Sequence, residues 1–168
     1  PLVVSGVQGR LTIDNSRLQL EKVSGEANSG RFTASGQANF GPSFSLPEAR
    51  LNFVLEDFDF NYPPGLNSLS RASLTLTKGK SGWLLSGDLF IINASYLEDF
   101  YPSTQGLKMI FSRVSPAGSE MSPFLYELAL NINVRTIDNI VIKNNLADLE
   151  LKANLNIKGT VPTPVLSG

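Results

Sequence analysis

From Leu149 to Ile157 apolar and polar residues alternate without interruption. Leu149, Leu151, Ala153, Leu155 and Ile157 fall on one parity, and Glu150, Lys152, Asn154 and Asn156 on the other. Successive side chains of a strand point to opposite faces, so the segment reads as one long strand with an oily side and a wet side. The same period of two recurs upstream. Phe32, Ala34, Ala38 and Phe40 share a parity until Gly41-Pro42 breaks it. Leu51, Phe53 and Leu55 form another set, and Phe58, Phe60 and Tyr62 the next, ended by Pro63-Pro64-Gly65. Ala72, Leu74 and Leu76 lead to the turn Lys78–Gly82, followed by Trp83, Leu85, Leu89 and Ile91. Leu107, Met109 and Phe111 read as a strand, as do Leu128, Leu130, Ile132 and Val134.

Turn signals arrive every eight to fifteen residues or so, the spacing of an antiparallel meander. The spacing predicts short helical turns only at Leu66–Ser70 and Ser95–Tyr101. Ser112–Pro123 lacks a period and reads as a long flexible loop. The chain is thus one fragment over 1–168, with a subdivision at 1–111 and 124–168 around that loop. Gly9-Arg10-Leu11-Thr12-Ile13, Gly30-Arg31-Phe32-Thr33-Ala34 and Gly87-Asp88-Leu89-Phe90-Ile91 share one form. Either any meander generates such pieces, or they mark a stacked unit.

Composition narrows the function. Apolar residues make up 42 % of the 168, which suits a packed chain rather than a disordered one. The net charge is −1 and the basic residues are scattered, which argues against nucleic acid as a partner. With no cysteine and no histidine, disulfides, thiolate metal sites and Ser/His/Asp catalysis are excluded. Glu56, Asp57 and Asp59 form the densest acidic group, with Glu98 and Asp99 a second. Paired carboxylates can hold calcium or cleave glycosides. Here the bland reading is favoured: a solvated strand face, or edge charges that discourage pairing. The Asn93-Ala94-Ser95 sequon carries no weight. Most aromatics run in register with aliphatics, Trp83 included, which is how a core reads rather than a sugar platform. No base with a partner is present, so the chain is not read as an enzyme and calls for no cofactor or metal.

The apolar parities remain. A closed sandwich would bury them against each other, and a sheet that curls without closing would leave them lining a groove. Alternation is the same in both.

The residues from Asn139 to Gly168 resemble the carboxy-proximal repeat of the TamB proteins, within the AsmA-like group. The resemblance is carried by Asn139–Ala147, the alternating strand, Lys158-Gly159-Thr160 and Pro164–Gly168. Leu84-Leu85-Ser86-Gly87-Asp88-Leu89-Phe90-Ile91 through Tyr96 is similar to the Leu-Ser-Gly-polar-Leu step of that family. The likeness spans about residues 71–168; upstream only the alternation and glycine spacing agree.

The resemblance implies an all-β, elongated antiparallel β-taco: a half-open curled sheet with an apolar groove, here a fragment of a longer repetitive protein. It implies a periplasmic setting in a protein anchored in the inner membrane, the anchor lying outside this sequence. It implies phospholipid movement between the two membranes of a Gram-negative envelope and, in some members, support of outer-membrane protein assembly. The expected partners are phospholipid acyl chains, a TamA-like outer-membrane barrel and adjacent repeats of the same chain. The groove expected on this reading is lined by Phe53, Leu55, Phe58, Phe60, Leu74, Leu76, Leu85, Leu89 and Ile91, then by Leu128, Leu130, Ile132, Val134, Leu149, Leu151, Leu155 and Ile157. The rivals are a closed β-sandwich module for adhesion or carbohydrate, and a scaffold that pairs with a barrel partner through free strand edges.

Overall fold

Short polar turns set the registers from which the sheet is built. Asn15-Ser16 and Asn28-Ser29 each join two strands as two-residue turns, and Asn15, Asn28 and Ser29 have φ of 50°, 45° and 68°. Hairpins this tight need left-handed residues, and asparagine tolerates that conformation better than most. In the computed structural model, residues 3–42, 45–61, 65–99 and 122–168 are described. They form β1 (Val4–Asp14), β2 (Arg17–Ala27), β3 (Gly30–Asn39), β4 (Glu48–Phe60), β5 (Leu66–Gly79) and β6 (Gly82–Tyr96). A short helix α1 (Pro123–Glu127) follows, then β7 (Ala129–Thr136), β8 (Ile140–Lys143), β9 (Asp148–Leu151), β10 (Asn154–Thr160) and β11 (Thr163–Ser167).

All eleven strands belong to a single open, curled sheet, the all-β taco architecture; nine follow the order β1-β2-β3-β4-β5-β6-β7-β10-β11, and β8 and β9 lie off that path. Strands β1 to β6 form an antiparallel meander. The junction beyond it departs from a pure meander, because β7 and β8 both pair with β6 in parallel. A parallel pair cannot be joined by a tight hairpin, unlike the antiparallel pairs of β1 to β6. β7 and β8 lie end to end along one edge of β6, joined through Ile137 N–H donating to Ile91 O (2.8 Å) and Asp138 N–H to Ile92 O (3.1 Å). β9 pairs with β8, and β10 with β7.

The single strand expected over Leu149–Ile157 is therefore two, β9 and β10, split at Lys152-Ala153. There the backbone of Ala153 turns to Thr136: Thr136 N–H donates to Ala153 O (3.0 Å), and Ala153 N–H to the Thr136 hydroxyl (3.0 Å). The expected helical turn at Leu66–Ser70 is the first stretch of β5, in register with β6. Ser95 and Tyr96 end β6, and 97–99 form no helix. The strand expected at Leu107–Phe111 and the loop from Ser112 onward fall outside the described residues up to 121; Pro123 opens α1. Gly30 starts β3 at a turn, whereas Gly9 and Gly87 sit mid-strand, so the three glycine pieces hold unlike places in the ladder.

One-residue insertions curl the sheet. The pairing slips at Leu20/Val23 in β2, Leu55/Phe58 in β4 and Ile91/Asn93 in β6. Each bulge bends and twists its strand. Each also corrects the phase of the sequence. The apolar parity of β4 changes from Phe53 and Leu55 to Phe58 and Phe60 across the bulge, so both sets stay on the same side. Asp57 belongs to that bulge, with a left-handed φ of 51°. β4 lies inside the sheet between β3 and β5, so the Glu56–Asp59 acids do not guard an edge. Left-handed backbone costs an L-residue about 1 kcal/mol, least for Asp, Asn and Gly. Asp57→Gly is expected to hold or raise stability by about 0.5 kcal/mol, and Asp57→Val to lower it by about 2 kcal/mol. Urea midpoints of the two variants check this, and an unchanged midpoint for valine would mean that the bulge relaxes freely.

Candidate functional site

Residues opposite each other in a ladder share a face, so the registers place the side chains directly. One row runs Val23, Ala34, Phe53, Leu74, Gly87, Ile132, Ile157, Leu166. The next holds Phe32, Leu55, Ala72, Leu89, Val134 and Leu155. On its other side lie Leu20, Gly36, Leu51, Leu76, Leu85 and Leu130. Beyond the bulges follow Phe58, Ser70 and Ile91, and then Phe60, Ser68, Ala94, Ile140 and Leu151. A last row joins Leu66, Tyr96, Ile142 and Leu149. These rows cross the strands, so the apolar band runs along the sheet. Nine strands at about 4.8 Å spacing give it a length of roughly 38 Å.

The burial pattern is that of a trough. Among the described residues no large side chain is fully buried. The most buried apolar groups are chiefly small: Ala27, Ala34, Ala49, Ala72 and Ala94, with Leu128 and Val134. Large members of the band stay open, Phe60 at 46 %, Leu149 at 47 % and Leu151 at 43 % exposed. A closed sandwich inverts this order, with its largest aliphatics driest.

The band deepens into one apolar concavity of about 310 Å³. It brings together Leu55, Phe58, Phe60, Leu74, Leu89 and Ile91 from the expected set. Phe53, Leu76, Leu85, Leu130, Ile132, Val134, Leu149, Leu151, Leu155 and Ile157 lie on the same face outside that concavity. Leu128 is placed differently. It precedes β7 as the residue after α1, is buried, and its carbonyl accepts from Val161 N–H at 3.2 Å.

Several members of the concavity carry no apolar alternation that marks them. Leu66, Ser68 and Ser70 line the concavity where a helical turn was expected, and Ile140 reaches it from β8. Ala72 and Ala94 form its floor and carry little hydrophobic signal. The signal that finds them is register: each stands opposite a large apolar partner across the ladder.

The convex face mixes polar ladders with scattered apolar residues such as Val54, Leu84 and Phe90. Thr75 donates its hydroxyl to Asn52 Oδ1 (3.1 Å). The Asn133 amide donates to Asp88 Oδ1 (3.0 Å), and the Asn156 amide to Asn133 Oδ1 (2.8 Å), so one polar ladder spans β6, β7 and β10. The ion pairs Arg10–Glu21 and Arg31–Glu56 are solvent-exposed and contribute little. Among the described residues no group of three His, Cys, Asp or Glu side chains is placed to hold a metal, and no helix is long and apolar enough to cross a membrane.

At one rim of the trough α1 rests against the sheet. Phe124 meets Trp83 edge-on, with ring centres 5.4 Å apart and planes at 77°. Trp83 thus stands on the concave face at the start of β6, partly exposed rather than in a sealed core.

Compared with known proteins, residues 21–168 match the family model of the TamB C-terminal domain. No curated protein and no solved structure matches.

Proposed function

This chain belongs to the TamB C-terminal domain family, and from that premise we propose that it is a non-catalytic conduit segment whose trough binds the acyl chains of phospholipid in transit between the membranes of a Gram-negative envelope. The family is one of envelope-associated transport and assembly components. The single observation that carries the reading is the band itself, an aliphatic face some 38 Å long that no second sheet covers among the described residues. An acyl tail spans about 15 Å, half the roughly 30 Å core of a bilayer. The trough is thus longer than its guest. Each methylene withdrawn from water gains about 0.8 kcal/mol, nearly the same wherever it lies along the band. Uniform affinity favours sliding over trapping. The 310 Å³ concavity is at the low end of ligand-site volumes and suits part of one chain, not a whole phospholipid.

Photoreactive residues test this. One placed at Leu89, on the trough face, is expected to capture phospholipid in an envelope extract, while one at Asp88, on the convex face, captures none. Equal capture at both positions would count against the trough.

A second reading is favoured by one observation. Among the described strands β1 is an edge with β2 as its one neighbour, and its Val4, Leu11 and Ile13 are 49, 53 and 67 % exposed. Unpaired edges of this kind accept strands, here from adjacent repeats or from a TamA-like barrel partner. Photoreactive residues on β1 would then capture protein rather than lipid.

A further inference from the structure

Register places Lys78 on the concave face, at the far end of β5 from Arg71, the charged residue that lines the concavity itself. It continues the series Ala72, Leu74, Leu76 along β5 and stands opposite Ala49 on β4 and Trp83 on β6. Its ammonium lies 5.7 Å from the centre of the Trp83 ring. No ion pair of the described residues includes it. An unpaired cation at the rim of an oily trough is where an amphiphile would present an anion.

We propose that Lys78 is the headgroup end of a phospholipid site, its ammonium holding the phosphate of a lipid whose tail runs down β5 into the concavity. The proposal rests on the acyl-binding reading above and adds a fixed pole to it. The lengths agree. A strand advances about 3.3 Å per residue, so Leu74, where the concavity begins on β5, lies about 13 Å from Lys78, and Ala72 about 20 Å. A tail of about 15 Å with its phosphate at Lys78 therefore ends inside the concavity. The chemistry agrees too. A lysine ammonium binds phosphate as a compact point charge, and its stem lies along apolar surface while its head stays in water. Trp83 holds that head at the rim through its ring face. A lipid sliding along the band would pause here, held at one end by charge and at the other by the widened floor.

Trp83 is the one tryptophan of the chain, so its fluorescence reads occupancy at this rim. The experiment titrates the protein with brominated-tail phosphatidic acid and with diacylglycerol carrying the same tails. A charge-assisted contact predicts that the wild type binds phosphatidic acid about tenfold more tightly. Lys78→Gln is expected to remove that preference while leaving diacylglycerol affinity unchanged, and Lys78→Glu to prefer a cationic diacyl ammonium lipid. Equal affinities in the wild type would overturn the proposal, as would a Lys78→Gln variant that loses both ligands alike, which marks a merely structural lysine. Glycerol phosphate binding as tightly as the lipid would overturn it in favour of a free-anion site. Diacylglycerol binding without any phosphate preference sinks only the lysine's role; failure of both lipids to bind sinks the trough reading and this one with it.

Discussion

Gly87→Val unfolds the fragment or lowers its stability by more than about 3 kcal/mol, the largest effect expected of any single substitution here. Gly87 sits mid-strand in β6, opposite Leu74 on one side and Ile132 on the other. Its φ is +138°, where side chains are strained. A Cβ at this position would collide with Ser73 O and stand 3.0 Å from Leu74 Cα, and both are backbone atoms of β5 that cannot swing away. Strain at such a backbone position costs about 1–3 kcal/mol before any clash is counted. The β5–β6 pairing would open, between the two strands that carry most of the concavity. Gly79 supplies the control. A Cβ there meets nothing within 4 Å, so Gly79→Ala is expected to change stability by less than about 1 kcal/mol. Urea melts of the pair decide the matter, and equal midpoints would show that β6 does not need a bare backbone at Gly87.

The second large effect is on binding. Leu74→Asp is expected to lower acyl-chain affinity at least about tenfold while the protein still folds. Leu74 belongs to both the central row and the concavity, so a carboxylate there stands in the path of the tail. The folding cost separates the architectures. In a sealed core a buried, unpaired carboxylate costs several kcal/mol and commonly prevents folding. Leu74 is only half-buried, so its replacement keeps access to water and loses about 2 kcal/mol, mainly transfer free energy. Circular dichroism with a lipid-binding titration checks both halves. A folded Leu74→Asp variant with undiminished lipid affinity would move the binding face elsewhere.

Much of this was legible in the alternation. Period two fixed which residues share a side within each strand, because strand geometry leaves no other choice. What it could not show was how strands meet. The parity change between Leu55 and Phe58 is a bulge that keeps Phe53 and Phe58 on one face, and the sequence shows only the change. Leu66, Ser68 and Ser70 passed for a helical turn because serine is a weak strand former and the run is short; pairing with β6 overrode that preference. The split at Lys152-Ala153 was invisible because it keeps the parity intact. Its cause is two extra residues, Ile137 and Asp138, on the neighbouring path from β7 to β8. The parallel contact of β7 with β6 joins strands that no tight hairpin connects, and no local pattern encodes which edge a returning chain will join. In the sequence Lys78 is turn punctuation, and its side-chain direction becomes meaningful only once Leu74 and Leu76 are known to face inward.

A sheet that meets no second layer among the described residues has a peculiar economy of cohesion. Each strand leans only on the two beside it, so strength is accumulated neighbour by neighbour instead of being shared through a common interior. Loosening would begin at the outermost strands and travel inward like a zip, with β5 and β6 the last to part. The same arrangement tolerates growth: another hairpin laid against the flank would extend the oily path by about 10 Å and leave every existing pairing undisturbed.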